Sequence, residues 1–352
     1  MFIPGSIDQL TVAWLRDAFI EGRIVDGHPD TIVVEPLGAA AGLLGDLARI
    51  HIKYAVGTGP TSVIVKLPAS DPGGHRVGSM LRAWPREVAF YQQVAPLALG
   101  ARVPVCYHTA GDERTDRWVV IMEDCPSDTI GSEDGASTEQ AGAAVDALAG
   151  FHAAWWESPT VFPWMPGVEG EGFAMLEGSW AANIPRFIDR YKAVLPAEAV
   201  DWVTAFAPTL GTWSRRTASE PLTIVHADYR LDNLLFDGPR VTMIDWQTAL
   251  RGSGAMDLSC FCATGLSTEL RRNIENNLID RYLAGLEAAG VVVDHEWFRR
   301  SYDEHLLWWM GQFANNLAHL APDDPAIQQA LETMAVRTYT AAVDRNVGRL
   351  LS

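Results

Sequence analysis

The stretch that decides the fold is Pro221–Gln247, PLTIVHADYRLDNLLFDGPRVTMIDWQ. Its first apolar run, Leu222–Val225, predicts a buried strand, and the polar residues after it predict a loop. Two further apolar runs, Leu234–Phe236 and Arg240–Ile244, flank an Asp-Gly dipeptide, which is typical of β-hairpin turns. The stretch therefore predicts a strand, a polar loop and a hairpin.

Three polar side chains at fixed spacing in this stretch indicate phosphoryl transfer. A kinase site needs a carboxylate that accepts the proton of the acceptor hydroxyl, an amide oxygen for one metal ion, and a second carboxylate for the metal that bridges the phosphates. Asp228, Asn233 and Asp245 supply these groups in that order. The same residue types occur at these offsets by chance in some chains, but the strand, loop and hairpin give the context that kinase motifs require. We therefore predict Asp228 as the catalytic base and Asn233 and Asp245 as magnesium ligands.

The segments HADYRLDNLLF and MIDWQ resemble the catalytic and metal-binding motifs of the aminoglycoside phosphotransferase and choline kinase-like family. Within that family, SVIVKLP and PREVAFYQQV are most similar to the ecdysteroid kinase-like branch. The resemblance extends from Val33 to Leu258 and fades in the C-terminal helices. It implies an α+β, bilobal protein-kinase-like fold. The N-terminal lobe would be an antiparallel β-sheet plus a helix, and the C-terminal lobe mainly α-helical.

The N-terminal lobe is predicted to hold the nucleotide. Lys66 lies in the apolar strand 62–67, where a lysine is costly to desolvate unless an anion meets it. A lysine at the end of a strand that reaches solvent is the alternative. Pro85 is predicted as a first helical residue, so that Glu87 falls in the first turn and complements the helix dipole. The cost of burying Lys66 fits contact with the nucleotide phosphates. For Glu87, the resemblance implies instead that it orients Lys66.

A loop of small residues joins the predicted strands 31–37 and 48–54. Its glycines, Gly38, Gly42 and Gly45, would let backbone amides approach phosphates without side-chain clashes. The loop lacks the spacing of a protein-kinase glycine loop, so its assignment depends on the catalytic loop downstream. We predict that the three glycines contact the nucleotide.

The resemblance implies supporting roles for four further residues. The crossing between the lobes at Glu123 and Asp124 would hold the adenine through backbone groups. Asp257 would hydrogen-bond the catalytic loop, although it is also placed to cap a helix. We expect His226 to brace that loop rather than to take part in the chemistry.

Helical patterns dominate the C-terminal lobe. Ser137-x-x-Gln140 has the form of a capping box and begins an amphipathic helix that carries His152, which we interpret as a core or boundary residue rather than a metal ligand. The segment 159–178 is rich in proline, glycine and aromatic residues and predicts an irregular insertion, with helices resuming over 185–206. Four aromatic residues lie where the resembling family builds its acceptor pocket, although core packing is the alternative for each: Trp155, Trp308, Trp309 and Phe313.

Composition sets limits on the class of protein. The chain has 352 residues, 48% of them hydrophobic, and a formal net charge of -17. This negative charge and the lack of a cluster of Lys and Arg residues in the sequence argue against a nucleic-acid partner. No run approaches 18 apolar residues and the N-terminus lacks the features of a secretory signal, so we expect no membrane partner and a cytoplasmic location. We predict two lobes: 1–124, which binds the nucleotide, and 125–352, which carries the catalytic loop, metal site and acceptor pocket.

These observations predict an ATP-dependent, Mg²⁺-dependent kinase that acts on a small-molecule hydroxyl. A largely apolar alcohol, such as a steroid, a macrolide or another polycyclic natural product, is the preferred acceptor. An aminoglycoside or choline-type cationic acceptor is one alternative, and a nucleotide-binding pseudokinase without turnover is another. A protein kinase is disfavoured because only about a dozen residues separate Asp245 from Asp257, too few for an activation segment.

Overall fold

The computed structural model describes residues 1–23, 26–37, 45–97, 100–127, 134–169, 171–318 and 325–351. The chain forms two compact units. Unit 1 comprises Met1–Ala98, Val103–Pro126 and Thr242–Thr248, and unit 2 comprises Leu99–Arg102, Ser127–Val241 and Ala249–Ser352. The separate biochemical roles expected for lobes 1–124 and 125–352 stay predictions.

Unit 1 is built on an antiparallel sheet. Its five strands are β1 (His28–Leu37), β2 (Gly45–Val56), β3 (Ser62–Pro68), β4 (Cys106–Asp112) and β5 (Arg117–Glu123). They pair in the order β1-β2-β3-β5-β4. Burial alternates along β2 between Ala48 and Ile52, whereas the central β3 is buried from Val65 to its end. The first three strands contain the predicted segments 31–37, 48–54 and 62–67.

Three helices accompany this sheet: α1 (Val12–Gly22), α2 (Pro72–Met80) and α3 (Ala83–Gln93). The apolar face of α1 packs into the sheet's core cluster through Trp14, Leu15, Ala18 and Phe19. The predicted start of α3 was wrong, because the helix begins two residues before Pro85 and Glu87 therefore follows the first turn. Proline is tolerated there since the first four N–H groups of a helix need no intrahelical partner.

Unit 2 is mainly helical. Its helices are α4 (Thr138–Trp155), α5 (Glu171–Tyr191), α6 (Ala197–Phe206), α7 (Leu210–Thr217), α8 (Gly254–Gly265), α9 (Thr268–Ala288), α10 (His295–Leu317) and α11 (Pro325–Asp344). Short strands β6 (Thr223–Val225) and β9 (Leu250–Gly252) pair antiparallel. Strands β7 (Leu234–Asp237) and β8 (Arg240–Met243) form a separate two-stranded sheet. The turn between them is Gly238-Pro239, one residue later than the predicted Asp-Gly turn, and the last two residues of β8 belong to unit 1.

The helix boundaries in unit 2 partly follow the sequence pattern. The capping box predicted at Ser137 and Gln140 is present at the start of α4. The prediction of an irregular segment over 159–178 was wrong in its second half, because α5 begins at Glu171 and continues through Pro185 to Tyr191. An internal proline does not reliably mark a helix boundary when tertiary packing holds the helical turns on both sides of it. Among the described residues, no helix is both long and apolar enough to cross a membrane.

Candidate active site

Lys66 of β3 lies between two carboxylates within unit 1. Its Nζ is 2.7 Å from Glu87 Oε2 of α3 and also contacts Asp245 Oδ1. Lys66 and Glu87 are only 7% and 1% exposed. Burial opposes the charge of the ammonium, but the two carboxylates outweigh it and raise the pKa of Lys66 above its ordinary value. The lysine is therefore a fixed positive charge at neutral pH.

Helix α3 also holds the residues that follow Asp245. Burial of the Glu87 carboxyl raises its pKa, and the backbone N–H of Trp246 favours the charged form and so lowers that pKa by less. The ring of Phe90 stacks on that of Trp246, with centroids 4.1 Å apart and planes 6° from parallel. Asp245 itself has φ of 66°, an uncommon left-handed conformation for a residue other than glycine. These contacts fix the Asp245 backbone in a conformation that it would not adopt freely.

The glycine loop falls largely outside the described residues, which exclude Gly38 and Gly42. Gly45 begins β2, and a Cβ built on it would lie 3.3 Å from Lys66 Cε and 3.0 Å from the Leu67 carbonyl oxygen. Any larger residue at position 45 would thus crowd the lysine. The assignment of these glycines to nucleotide binding stays a prediction.

The side chains of Glu123 and Asp124, at the predicted crossing between the lobes, form hydrogen bonds within unit 1. Glu123 accepts a hydrogen bond from the backbone N–H of Val105 at 3.1 Å. Asp124 receives two hydrogen bonds from the Arg49 guanidinium, at 2.8 and 3.3 Å. A role for this crossing in holding adenine would therefore rest on its backbone groups, as the resemblance implies, and remains a prediction.

In unit 2, Asp228 is surrounded by donors from its own loop. Arg230 forms a bidentate ion pair with the carboxylate, with Nε 2.7 Å from Oδ1 and Nη2 3.3 Å from Oδ2. We call such a two-nitrogen contact of an arginine with a carboxylate a fork. Asn233 Nδ2 donates to Asp228 Oδ2 at 3.0 Å and to the Asp228 carbonyl at 2.8 Å. The Asn233 amide nitrogen thus faces Asp228, and its amide oxygen is turned away from it.

This environment keeps Asp228 ionised. Burial would raise its pKa, but the charge of Arg230 and hydrogen bonds from Arg230 and Asn233 leave the pKa of Asp228 below its ordinary value. A carboxylate with a lowered pKa is available as a proton acceptor throughout the neutral range. The loop is therefore electrostatically prepared for a base at position 228.

A buried aspartate anchors the backbone just before Asp228. Asp257, near the start of α8, accepts hydrogen bonds from the backbone N–H groups of His226 and Ala227, at 2.6 and 2.8 Å. Ala227 has φ of 58°, a second left-handed conformation at a residue other than glycine. Ser253, not Asp257, caps α8. Asp257 therefore holds a strained backbone segment beside the predicted base.

A further pair of side chains continues this network inward. The His152 ring lies between Asp257 Oδ2, 3.2 Å from Nε2, and the Tyr282 hydroxyl, 2.7 Å from Nδ1. His152 and Asp257 are both fully buried. The sequence places His152 in the core but gives no sign of these partners, which come from α8 and α9.

Asn233 and Asp245 offer the kinds of oxygen that Mg²⁺ prefers. Mg²⁺ is commonly held by one or two carboxylates together with substrate phosphates and water. Asp245 lies beside the Lys66 ammonium, and its Oδ2 accepts a hydrogen bond from Gln247 Nε2 at 3.3 Å. Within the described ranges, no three His, Cys, Asp or Glu side chains form a metal-binding group. Each residue thus offers an oxygen of a kind that fits Mg²⁺, and the assignment of Asn233 and Asp245 as its ligands stays a prediction.

The aromatic residues predicted to line an acceptor pocket are packed in the core of unit 2. The exposed fractions of Trp155, Trp308, Trp309 and Phe313 are 7, 4, 2 and 3%. Trp309 stacks on Phe313 at 5.1 Å and donates its indole N–H to the Met256 carbonyl at 2.8 Å. Most residues of α10 are buried, and the assignment of these four aromatic residues to an acceptor pocket stays a prediction.

Arg230 is the functional candidate that the sequence analysis missed. It lies two residues after Asp228 in the sequence, whereas the motif that predicts the site consists of Asp228, Asn233 and Asp245 alone. A basic residue beside a carboxylate on one tight loop is a signal that could have identified it.

The sequence matches the model of the phosphotransferase enzyme family (APH) over residues 49–299, and the chain belongs to that family. It is accordingly a phosphotransferase, as predicted. None of the curated proteins matches the chain significantly. The narrower likeness to the ecdysteroid kinase-like branch stays a prediction.

Solved structures with similar folds include a choline kinase from Cryptosporidium parvum, with a TM-score of 0.58 and 11% identity over 95% of this chain and 94% of that chain. An ethanolamine kinase from Plasmodium vivax has a TM-score of 0.56 and 11% identity over 93% and 87% of the two chains. The ADP-bound aminoglycoside phosphotransferase APH(2'')-Ib has a TM-score of 0.52 and 13% identity over 92% and 97%. These matches confirm the predicted α+β, protein-kinase-like fold class.

Proposed function

We propose that this phosphotransferase moves the γ-phosphoryl group of ATP to a hydroxyl group of a small molecule. The observation that carries the proposal is the state of Asp228, an ionised carboxylate held by Arg230 and Asn233 on a loop anchored by Asp257. A similar structure with ADP bound supports the choice of an adenine nucleotide.

The transfer assigns one role to each group. Asp228 takes the proton of the acceptor hydroxyl as the hydroxyl oxygen bonds to the γ-phosphorus. The bond between that phosphorus and the β,γ-bridging oxygen breaks, and ADP leaves with the electron pair. Lys66 neutralises phosphate charge, and Glu87 keeps Lys66 in place. Asn233 and Asp245 would hold Mg²⁺, which supplies electrostatic stabilisation of the phosphates.

For the acceptor, we favour a largely apolar alcohol over an aminoglycoside or another polycation. Two carboxylates of α10, Asp303 and Glu304, are only 3 and 4% exposed. Asp303 pairs with Arg345 at 2.7 Å, and Glu304 with Arg300 at 3.0 Å, so arginines already neutralise both. The burial of the α10 aromatic residues removes one argument for an apolar pocket, so the preference rests on these neutralised acids.

The experiment is a screen of ADP release over aminoglycosides, macrolides, choline analogues, sugars and steroid alcohols. We expect release that depends on the acceptor and that falls by about 10² to 10⁴ in Asp228→Asn. ADP release at the wild-type rate in Asp228→Asn would place the base elsewhere. Nucleotide binding without turnover of any acceptor would favour the pseudokinase alternative.

A further inference from the structure

The Asp228 carboxylate has a defined set of partners on its own loop. An ionised carboxylate has about four acceptor sites, two on each oxygen. Oδ2 receives Arg230 Nη2 at 3.3 Å and Asn233 Nδ2 at 3.0 Å, whereas Oδ1 receives only Arg230 Nε, at 2.7 Å. Within the described part of the chain, Oδ1 is therefore the oxygen with a site left for a further donor.

The guanidinium that makes this arrangement is itself held on its other side. Arg230 Nη1 lies 3.1 Å from Asp232 Oδ2 and 3.6 Å from the Met334 sulfur of α11. Each of its three nitrogens thus has a protein partner. Both Asp228 and Arg230 are about three-quarters buried, with side-chain exposures of 24 and 25%. A fork held at both ends restrains rotation of the carboxylate far more than a single ion pair would.

We infer that Arg230 is a positioning residue for the transfer: it fixes the plane of the Asp228 carboxylate so that Oδ1 meets the acceptor hydroxyl. This inference rests on the proposed function, because it assigns the proton to one atom of the proposed base. These contacts use four of the five N–H donors of the guanidinium, which argues against direct binding of the transferred phosphate by Arg230. Its effect is exerted through Asp228.

A double-mutant cycle separates these two roles. Arg230→Met removes the fork but keeps an unbranched apolar stem, and we expect kcat to fall about 10²-fold, the scale of a misplaced reacting group. In an Asp228→Asn background the same substitution should change kcat less than about threefold, because there is no base left to position. Equal losses in both backgrounds would overturn the inference and indicate that Arg230 acts on the phosphate independently.

A matched control comes from another arginine–aspartate fork in unit 2. Arg281 binds Asp146 through the same two nitrogens, each at 2.6 Å, but on the surface. Arg281→Met should therefore leave kcat and both KM values at wild-type levels. A loss of kcat in Arg281→Met equal to that in Arg230→Met would overturn the inference, since it would show a general effect of losing a fork.

Two further measurements guard against a purely structural effect. Arg230→Lys keeps the charge but donates from a single point, so we expect about a tenfold loss of kcat with unchanged nucleotide KM. Arg230→Ala should regain activity on addition of guanidinium ion at concentrations below those that unfold the protein. Wild-type kcat in Arg230→Lys, or no recovery in a folded Arg230→Ala, would contradict the inference. Wild-type kcat in Asp228→Asn would instead refute the proposed function.

Discussion

Replacing Asp257 with asparagine removes one charge from the buried network beside the catalytic loop. Asp257 is fully buried and accepts two backbone N–H groups, from His226 and Ala227. Asparagine has one acceptor oxygen, so one N–H would face an amide NH₂ group instead. A hydrogen bond to a charged group contributes about 1.5–3 kcal/mol, and an unpaired buried donor costs about 1–3 kcal/mol. We therefore expect the free energy of unfolding to fall by about 3–5 kcal/mol.

The same change should slow catalysis, because Ala227 holds a left-handed conformation next to Asp228 only while its N–H is bound. We expect kcat to fall at least tenfold, the scale of a small misplacement of a reacting group. Urea unfolding followed by tryptophan fluorescence and steady-state kinetics measure the two effects.

The matched control is Ser253→Ala, which removes the N-cap of the same helix at a cost of about 1 kcal/mol and should leave kcat unchanged. An Asp257→Asn variant no less stable than Ser253→Ala, or one that retains wild-type kcat, would refute the reasoning.

Three other outcomes follow from the site. Asp245→Ala should abolish magnesium-dependent ATP binding in calorimetry while Asn233→Ala only weakens it, because the carboxylate carries the charge; unchanged binding in Asp245→Ala would exclude the metal assignment. Glu87→Gln should raise the KM for ATP about tenfold, the equivalent of losing one charge-assisted hydrogen bond to Lys66, and an unaltered KM would remove the orienting role. The KM of the preferred acceptor should change little between low and high salt; a polycation whose KM rises steeply with salt would contradict the apolar acceptor.

The features that depend on residues close together in the sequence were predicted best. The strand, loop and hairpin around Asp228 follow from short apolar runs and one turn dipeptide, and the α4 capping box from residues three apart. The start of α3 was misplaced because proline is compatible with several positions in a first turn. Helix α5 was partly missed because proline and glycine count against a helix locally, whereas packing decides the outcome.

Contacts between distant segments could not be derived from local patterns. The stacking of Phe90 on Trp246 and the chain from Tyr282 through His152 to Asp257 join residues far apart in sequence. The aromatic residues of α10 were equally ambiguous. A helix that is apolar on several faces gives no periodicity that separates a pocket wall from a core, and the structure places Trp308 and Trp309 both in the core.

The central claim is that the γ-phosphoryl group reaches a small-molecule hydroxyl with Asp228 as the base. The most direct measurement uses ATP labelled in the γ-phosphoryl group with the best acceptor from the screen, and compares the wild type with Asp228→Asn in single-turnover mixtures. We predict that label appears on the acceptor at the rate at which ADP forms, and that both rates fall by about 10² to 10⁴ in the variant. ADP formation without label on the acceptor, or equal rates in the two proteins, would contradict the claim.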